Sequence, residues 1–352
     1  MSNLMFPETL VPAAAFLPSV PKTPQGRYAH LVLVRETESY PIFQTDGTLN
    51  IAKVRKGLAE AHADNVIRLT LFKRKQTSPE RLIGRELLRR VGITQAEDAN
   101  EANYCEYNEH HCQRCPDCVY YGFAIGEEGS EKSKVYVDTA FSVTGYDESH
   151  QQFSFNALYE KGNMSQQGTV RSSFGEQDHV IPQVFFPAVV TIKDVTVHSF
   201  GYVLNNLLRT KRYGATSTRT GKMENHVVAA IWTDGEVFSN LKLTQKVFDL
   251  LAESGQQGMI PLNRDHVLAA TAAAVPLLLP EDGVSVTCLL VGDELAALLE
   301  HVRQVTTDSE QLATFLRHCA RECDDYYKRV IGKPPSQRGK GRQKAAAEED
   351  SE

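Results

Sequence analysis

The sequence predicts an α+β fold: a sandwich of the RNA-recognition or ferredoxin-like type, carrying an inserted cysteine-bearing lobe, a long glycine-containing excursion and a helical C-terminal part. Three observations carry this expectation. A buried apolar run, a helical spacing and a second apolar run follow one another over residues 29–72, and further strands and a helix come later. Apolar periodicity breaks off at 95–132, where cysteines and acidic residues gather. Beyond residue 243 the spacing is mostly helical.

Taken in order, residues 1–25 are rich in proline and small apolar side chains and read as an N-terminal arm. Residues 29–37, AHLVLVRET, read as a buried strand, followed by a loop, SYPIFQTDGT, with Asp46-Gly47 as its turn signal. Ile51, Val54, Leu58 and Ala61 have helical spacing over 50–62, and 66–72 alternates into a strand. Ser78-Pro79 looks like an N-cap and a first-turn proline, opening a helix with Leu82, Ile83, Leu87, Leu88 and Val91 inward and Gly92 as its stop. The RNA-recognition-like α+β body is expected over 26–94 and 133–331, interrupted by the 95–132 lobe. Strands resume at 135–144, and residues 156–183, with Gly162, Gly168 and Gly175, read as a long excursion of extended-hairpin type. Residues 184–197 read as a strand, 199–213 as a helix ending at Gly214, and 226–233 as a strand. Helices are expected at 243–253, 294–305 and 309–331, and the tail, 332–352, is low in complexity and expected to be disordered.

At 352 residues the chain exceeds what one simple core supports, which points to one elaborated domain with insertions or to two domains. Hydrophobic residues at 41% and charged residues at 23% are an ordinary globular balance. A net charge of −6 excludes uniform electrostatic coating of nucleic acid but leaves room for a local basic groove. The longest apolar stretch, 267–280, is alanine-rich, broken by Pro276 and too short to span a bilayer. No signal-peptide pattern opens the chain, so the cytoplasm is the expected compartment and no membrane contact is expected. No P-loop, catalytic-triad motif or pair of carboxylates at metal spacing stands out.

Four of the seven cysteines, Cys105, Cys112, Cys115 and Cys118, stand in CEYNEHHCQRCPDC. Thiolates two residues apart in a tight turn reach one ion in tetrahedral geometry, and a closed set of four is the commonest structural zinc site. Iron–sulfur ligation shares part of this spacing. His110 or His111 are alternatives to Cys105 as ligand. A structural ion is expected to hold a lobe with few apolar residues of its own.

RTKRYGATSTRTGK places Arg209, Lys211, Arg212, Arg219 and Lys222 in one run without an acid. Arginine and lysine neutralise phosphates, hydroxyls and backbone N–H groups donate to phosphate oxygens, and Tyr213 offers a ring for stacking. RLTLFKRKQTSPERLIGRELLRR is a second basic region, lying along a helix.

GTVRSSFGEQDHVIPQVFFP and LNNLLRTKRYGATSTRTGKMENH, together with the cysteine lobe, closely resemble the backbone subunits of type I-D CRISPR Cascade, guide-RNA-binding proteins of the RAMP superfamily. The resemblance covers roughly 28–331. It implies a palm, a zinc lobe and a thumb, with copies stacked head to tail along one guide RNA. It places Arg171, Ser172, Ser173, Phe174 and His179 near the thumb's return strand. It places Arg209, Lys211, Arg212, Tyr213, Arg219, Thr220, Lys222 and Asn225 at the guide. The implied partners are guide CRISPR RNA, target nucleic acid through base pairing, further copies of the chain, a large subunit and a handle-binding subunit. In relatives an aspartate after the first strand cuts target RNA; Asp46 is the candidate position here, with a plain Asp-Gly turn as the alternative.

Overall fold

Ten consecutive buried residues make β1 (Tyr28–Thr37) the centre of the molecule. Its side chains alternate between two cores: Leu31 and Leu33 belong to one, Val32 and Val34 to the other. A strand buried on both faces needs layers on both faces, and helices supply them.

The computed structural model describes residues 10–96, 103–125, 129–156, 165–166, 169–170, 174–216 and 219–332. After β1 come β2 (Ile51–Arg55), β3 (Asn65–Leu71), α1 (Lys73–Arg90), β4 (Phe123–Ile125), β5 (Gly129–Glu131), β6 (Val135–Val137) and β7 (Ala140–Gly145). Then follow β8 (His150–Asn156), β9 (Ser165–Gln166), β10 (Thr169–Val170), β11 (Phe174–Val180), β12 (Phe185–Lys193), α2 (Val197–Arg209), β13 (Arg212–Thr216) and β14 (Arg219–Thr233). The chain closes with α3 (Asn240–Glu253), α4 (Arg264–Leu278), β15 (Val286–Leu290), α5 (Gly292–Thr307) and α6 (Ser309–Tyr326). The main sheet runs β13-β14-β1-β12-β6, with β15 also on β14, and all its pairings are antiparallel. Helices α1, α2, α5 and α6 cover one face, and α3 and α4 the other. A second small sheet, β2-β3-β7, lies beside it.

Several expectations are corrected. Residues 51–55 are a strand, not a helix: Ile51, Lys53 and Arg55 point outward more than Ala52 and Val54, a period of two. Helix α1 begins at Lys73, six residues before Pro79, because the buried Gln76 anchors the first turn by donating to the Leu71 and Asp138 carbonyls. The next helix ends at Arg209, not at Gly214. Thr196 caps its start by accepting from the Ser199 N–H, and the chain turns into the β13–β14 hairpin beyond Thr210. The alanine-rich 267–280 stretch forms most of α4, and β15 is a strand with little local signal.

The N-terminal arm is part of the core where it is described. Val11, Ala15 and Val20 are buried, and Leu17 bridges to Thr196. The cysteine segment is not coreless: Val119, Tyr120, Tyr121 and Phe123 pack into the same core as α1 and α2. Of the expected 156–183 excursion, β11 is described and pairs with the preceding β8 as an antiparallel ladder from Val180↔His150 to Phe174↔Asn156, while most of 157–173 lies outside the described residues. The tail from 333 onward lies outside the described residues.

Candidate nucleic-acid interface and metal centre

The β13–β14 hairpin lies against the loop that follows β1. Gly214 adopts φ +57°, and a Cβ there would meet the Phe43 ring at 2.6 Å. At Gly221 a Cβ would lie 2.3 Å from Pro41. Glycine at these two positions therefore lets the hairpin and the loop touch through backbone.

Behind the hairpin sits a buried polar cluster. Arg35 and Glu80 form a fully buried ion pair at 2.9 Å. The Tyr213 hydroxyl donates to Glu80 at 3.1 Å and accepts from Arg35 at 3.2 Å and from Asn225 at 2.7 Å. Burial, with Glu80 close by, pushes the Tyr213 hydroxyl well above its ordinary range. Tyr213 is 1% exposed and Asn225 7%, so neither can stack on or contact a base as placed. They join α1, β1 and the hairpin.

That junction fixes the walls of a cleft of about 930 Å³. One wall is the first half of α1 with Phe72 just before it: Phe72, Arg74, Lys75, Ser78, Leu82. The other is the segment after α2: Arg209, Thr210, Lys211, Arg212, Thr220. Gln44, Thr45 and Tyr107 complete it. Every charged residue among these lining groups is basic. Phe72 and Leu82 are 41% and 42% exposed, so the cleft also has an apolar face.

The cations differ in availability. Arg209 is committed: it donates to Asn205 at 2.9 Å and to the Thr306 carbonyl. Lys211 pairs with Glu224 at 3.0 Å and Lys222 with Glu38 at 2.9 Å, both near the surface. Among the described residues, Arg74, Lys75 and Arg212 make no ion pair. Burial, with Arg74 beside it, lowers the Lys75 pKa. Burial and Arg90 lower that of Arg209. In both cases burial is the larger cause and the neighbouring cation adds to it, so a bound anion would favour the charged form of each.

His179 is 8% exposed and packs edge-on against Phe153 at the base of the β8–β11 ladder. Arg171, Ser172 and Ser173 lie outside the described residues, and for Phe174 and Arg219 only the backbone pairing is described. Asp46 is exposed in the turn beside Gln44 and Thr45, and Gly47 takes φ +85°, as a turn requires. Arg74, Lys75, Phe72 and Tyr107 were not among the expected RNA contacts. The basic run around α1 was the available signal, but nothing local ties it to residues 209–222.

The four cysteines converge on one point. Their sulfurs lie within 4.8 Å of one another, with Cys105 at 3.6 Å from Cys118 and 3.9 Å from Cys115. Thiolates at about 2.3 Å from a tetrahedral zinc ion stand about 3.8 Å apart, so the set fits such an ion. Hydrogen bonding among the thiols, Cys112 first, holds the Cys105 pKa far below its ordinary value. Cys105 in turn raises Cys115 and Cys118. Against the opposing Cys105, hydrogen bonds from Cys115 and Cys118 help lower the Cys112 pKa as well, so charge on Cys105 and Cys112 is favoured and charge on the other two is opposed, the opposition a divalent cation would remove. His111 is buried with Nδ1 3.7 Å from the Cys118 sulfur, while His110 stacks on Tyr104. No helix among the described residues is long and apolar enough to cross a membrane.

Residues 15–316 match the family described as Csc2 CRISPR. The crystal structure of Thermofilum pendens Csc2 is similar with a TM-score of 0.56 at 14% identity, over 91% of this chain and 96% of that one. This likeness shows the fold. A chain of a CRISPR RNA-guided surveillance complex, pre-nicking, reaches a TM-score of 0.37 at 11% identity, over 60% of this chain and 78% of that one, and carries no argument. No curated protein matches the sequence. With the family match spanning most of the chain, from the N-terminal segment through the cysteine centre and both cleft walls into α6, the chain belongs to the Csc2 CRISPR family.

Proposed function

We propose that this chain is the guide-RNA-binding backbone subunit of a CRISPR surveillance complex of type I-D, repeated along one guide. The observation that carries this is the cleft: three cations without ion-pair partners among the described residues, supplied by α1 and by the β13–β14 hairpin, beside exposed Phe72 and Leu82. A guide whose sequence varies must be held by phosphate, ribose and sequence-tolerant apolar contact. Arg74, Lys75 and Arg212 take phosphates, with Lys211 beside them and Arg219 and Lys222 as further phosphate contacts. Thr45, Ser78 and Thr220 offer hydroxyls to ribose and phosphate oxygens. Arg171, Ser172, Ser173, Phe174 and His179 serve the guide at the thumb.

The antiparallel sheet and its helices act as the RNA-recognition-like palm. Copies stack head to tail, a heterologous contact that builds an open filament. A large subunit and a handle-binding subunit complete the assembly, and base pairing by the guide selects target. Cys105, Cys112, Cys115 and Cys118 hold a structural zinc ion. A second role, target cleavage through Asp46, is favoured by the exposed place of Asp46 next to cleft residues Gln44 and Thr45. The turn accounts for Asp46 without it.

Fluorescence anisotropy with the full-length chain tests the proposal. Two unrelated single-stranded RNAs of equal length should bind with affinities within about threefold, and a duplex of the same sequences should bind more weakly. Strong dependence on sequence, or a preference for duplex, would overturn it.

A further inference from the structure

The cysteine loop and the cleft share one helix. Asp117 stands between Cys115 and Cys118 and is fully buried. It accepts from Arg81 through both carboxylate oxygens, each at 2.9 Å, and from Arg85 at 2.7 Å. Arg85 also donates to the Cys105 sulfur at 3.3 Å. Tyr107, two residues after Cys105, covers both guanidiniums, 5.0 Å from that of Arg81 and 5.8 Å from that of Arg85. The Tyr107 hydroxyl lies 3.3 Å from the Ser78 Oγ, and its ring lines the cleft. Arg81 and Arg85 belong to α1, the helix whose first turn carries Arg74 and Lys75.

We propose that the cysteine centre positions the nucleic-acid cleft, with Asp117 and Tyr107 as the positioning residues that lock α1. Nucleic-acid affinity then depends on whether the four thiolates are held together. The physics follows from the contacts. Four sulfurs this close repel as thiolates unless a cation sits among them. When the cluster opens, Asp117 and Tyr107 move with their loop. The two guanidiniums then lose their only ion-pair partner among the described residues, in a site where an unpaired charge is costly. Helix α1 must shift to hydrate them, and the Arg74 side of the cleft shifts with it. If the wall is correctly placed only about a tenth of the time, apparent affinity falls about tenfold.

This inference rests on the cleft being the nucleic-acid site, and the experiment separates the two. Full-length wild type, Asp117→Asn, Tyr107→Ala, Tyr107→Phe and the Arg74→Ala/Arg212→Ala double variant are compared. Each is measured for zinc content, for affinity toward one single-stranded RNA, and for hydrogen exchange over 73–90 without RNA. Asp117→Asn should keep its zinc, exchange faster over α1 and bind about tenfold more weakly. Tyr107→Ala should do the same, and Tyr107→Phe should restore both affinity and protection, because the ring and not the hydroxyl covers the guanidiniums. Stripping zinc from wild type with a mercurial and a chelator should lower affinity, and added zinc after thiol release should restore it. If Asp117→Asn does not fold, the Tyr107→Ala and Tyr107→Phe pair decides. Unchanged affinity and α1 exchange in Tyr107→Ala and in zinc-stripped, folded protein, with the double variant weakened, would overturn the positioning role and leave the cleft intact. Unchanged affinity in the double variant would instead overturn the cleft.

Discussion

Replacing Arg74 and Arg212 by alanine removes one uncompensated cation from each wall of the cleft. Neither side chain holds an ion pair among the described residues, so the change strands no buried carboxylate, and the fold should survive. The loss is worked from two charge-assisted phosphate contacts, at the lower end of about 1.5–3 kcal/mol each because the cleft is open to solvent. Together that is about 3 kcal/mol, or roughly a hundredfold in Kd at low salt. Each lost single-strand phosphate contact also removes about 0.7 from the log–log salt slope, so the double variant should flatten it by about 1.4. Between roughly 50 and 200 mM salt, the advantage of wild type should therefore shrink by about sevenfold. The assay is an anisotropy titration against two unrelated single-stranded RNAs at four salt concentrations. A loss confined to one RNA would refute the reasoning, because phosphate contacts are blind to sequence. So would a loss at unchanged slope, because released counterions must appear in it.

Three further outcomes are expected. Elemental analysis should find about one zinc per chain, and Cys112→Ser should release it and increase protease and exchange sensitivity over 103–116. Val119 to Phe123 should stay protected, because the main core holds them. Any target cleavage should disappear in Asp46→Ala at unchanged guide affinity; metal-dependent cutting that persists would require another site. His30 is buried, which lowers its pKa to about 4 despite the Gly235 carbonyl. The unfolded chain binds that proton more readily between about pH 6.5 and 4, so stability rises with pH across this window and is lost as pH falls. Urea unfolding should show about 2 kcal/mol less stability at about pH 5 than at pH 7 from this group. An equally steep profile in His30→Gln would remove His30 as its source.

Much of the framework is legible because its signals are local. Strands β1 and β12 are near-continuous apolar runs, and the cysteine spacing identifies its own cluster. Residues 50–62 misled because Ile51, Val54 and Leu58 satisfy a helical spacing by coincidence, while the exposed-to-inner alternation of 51–55 is that of an edge strand. Tyr213 reads as a stacking ring in a basic loop. Its burial is set by Arg35 and Glu80, 178 and 133 residues away in sequence, which no local pattern reports. The cleft is non-local for the same reason: Arg74 and Arg212 meet only because α1 packs against β13, and Tyr107 enters from the cysteine loop. The available part of the 209–222 run is smaller than its charge suggests, since Arg209 and Lys211 are tied to partners that sequence spacing does not reveal.

The central claim is that the chain grips guide RNA by its backbone, and the RNA that accompanies the protein tests it most directly. Native isolation of the full-length chain, followed by sequencing of the bound RNA, should recover many different spacers that share one repeat-derived end. The same isolation from cells carrying Arg74→Ala/Arg212→Ala should recover far less of them. Recovery of no RNA, or of a single sequence or an unrelated cellular RNA with no repeat-derived end, would contradict the account.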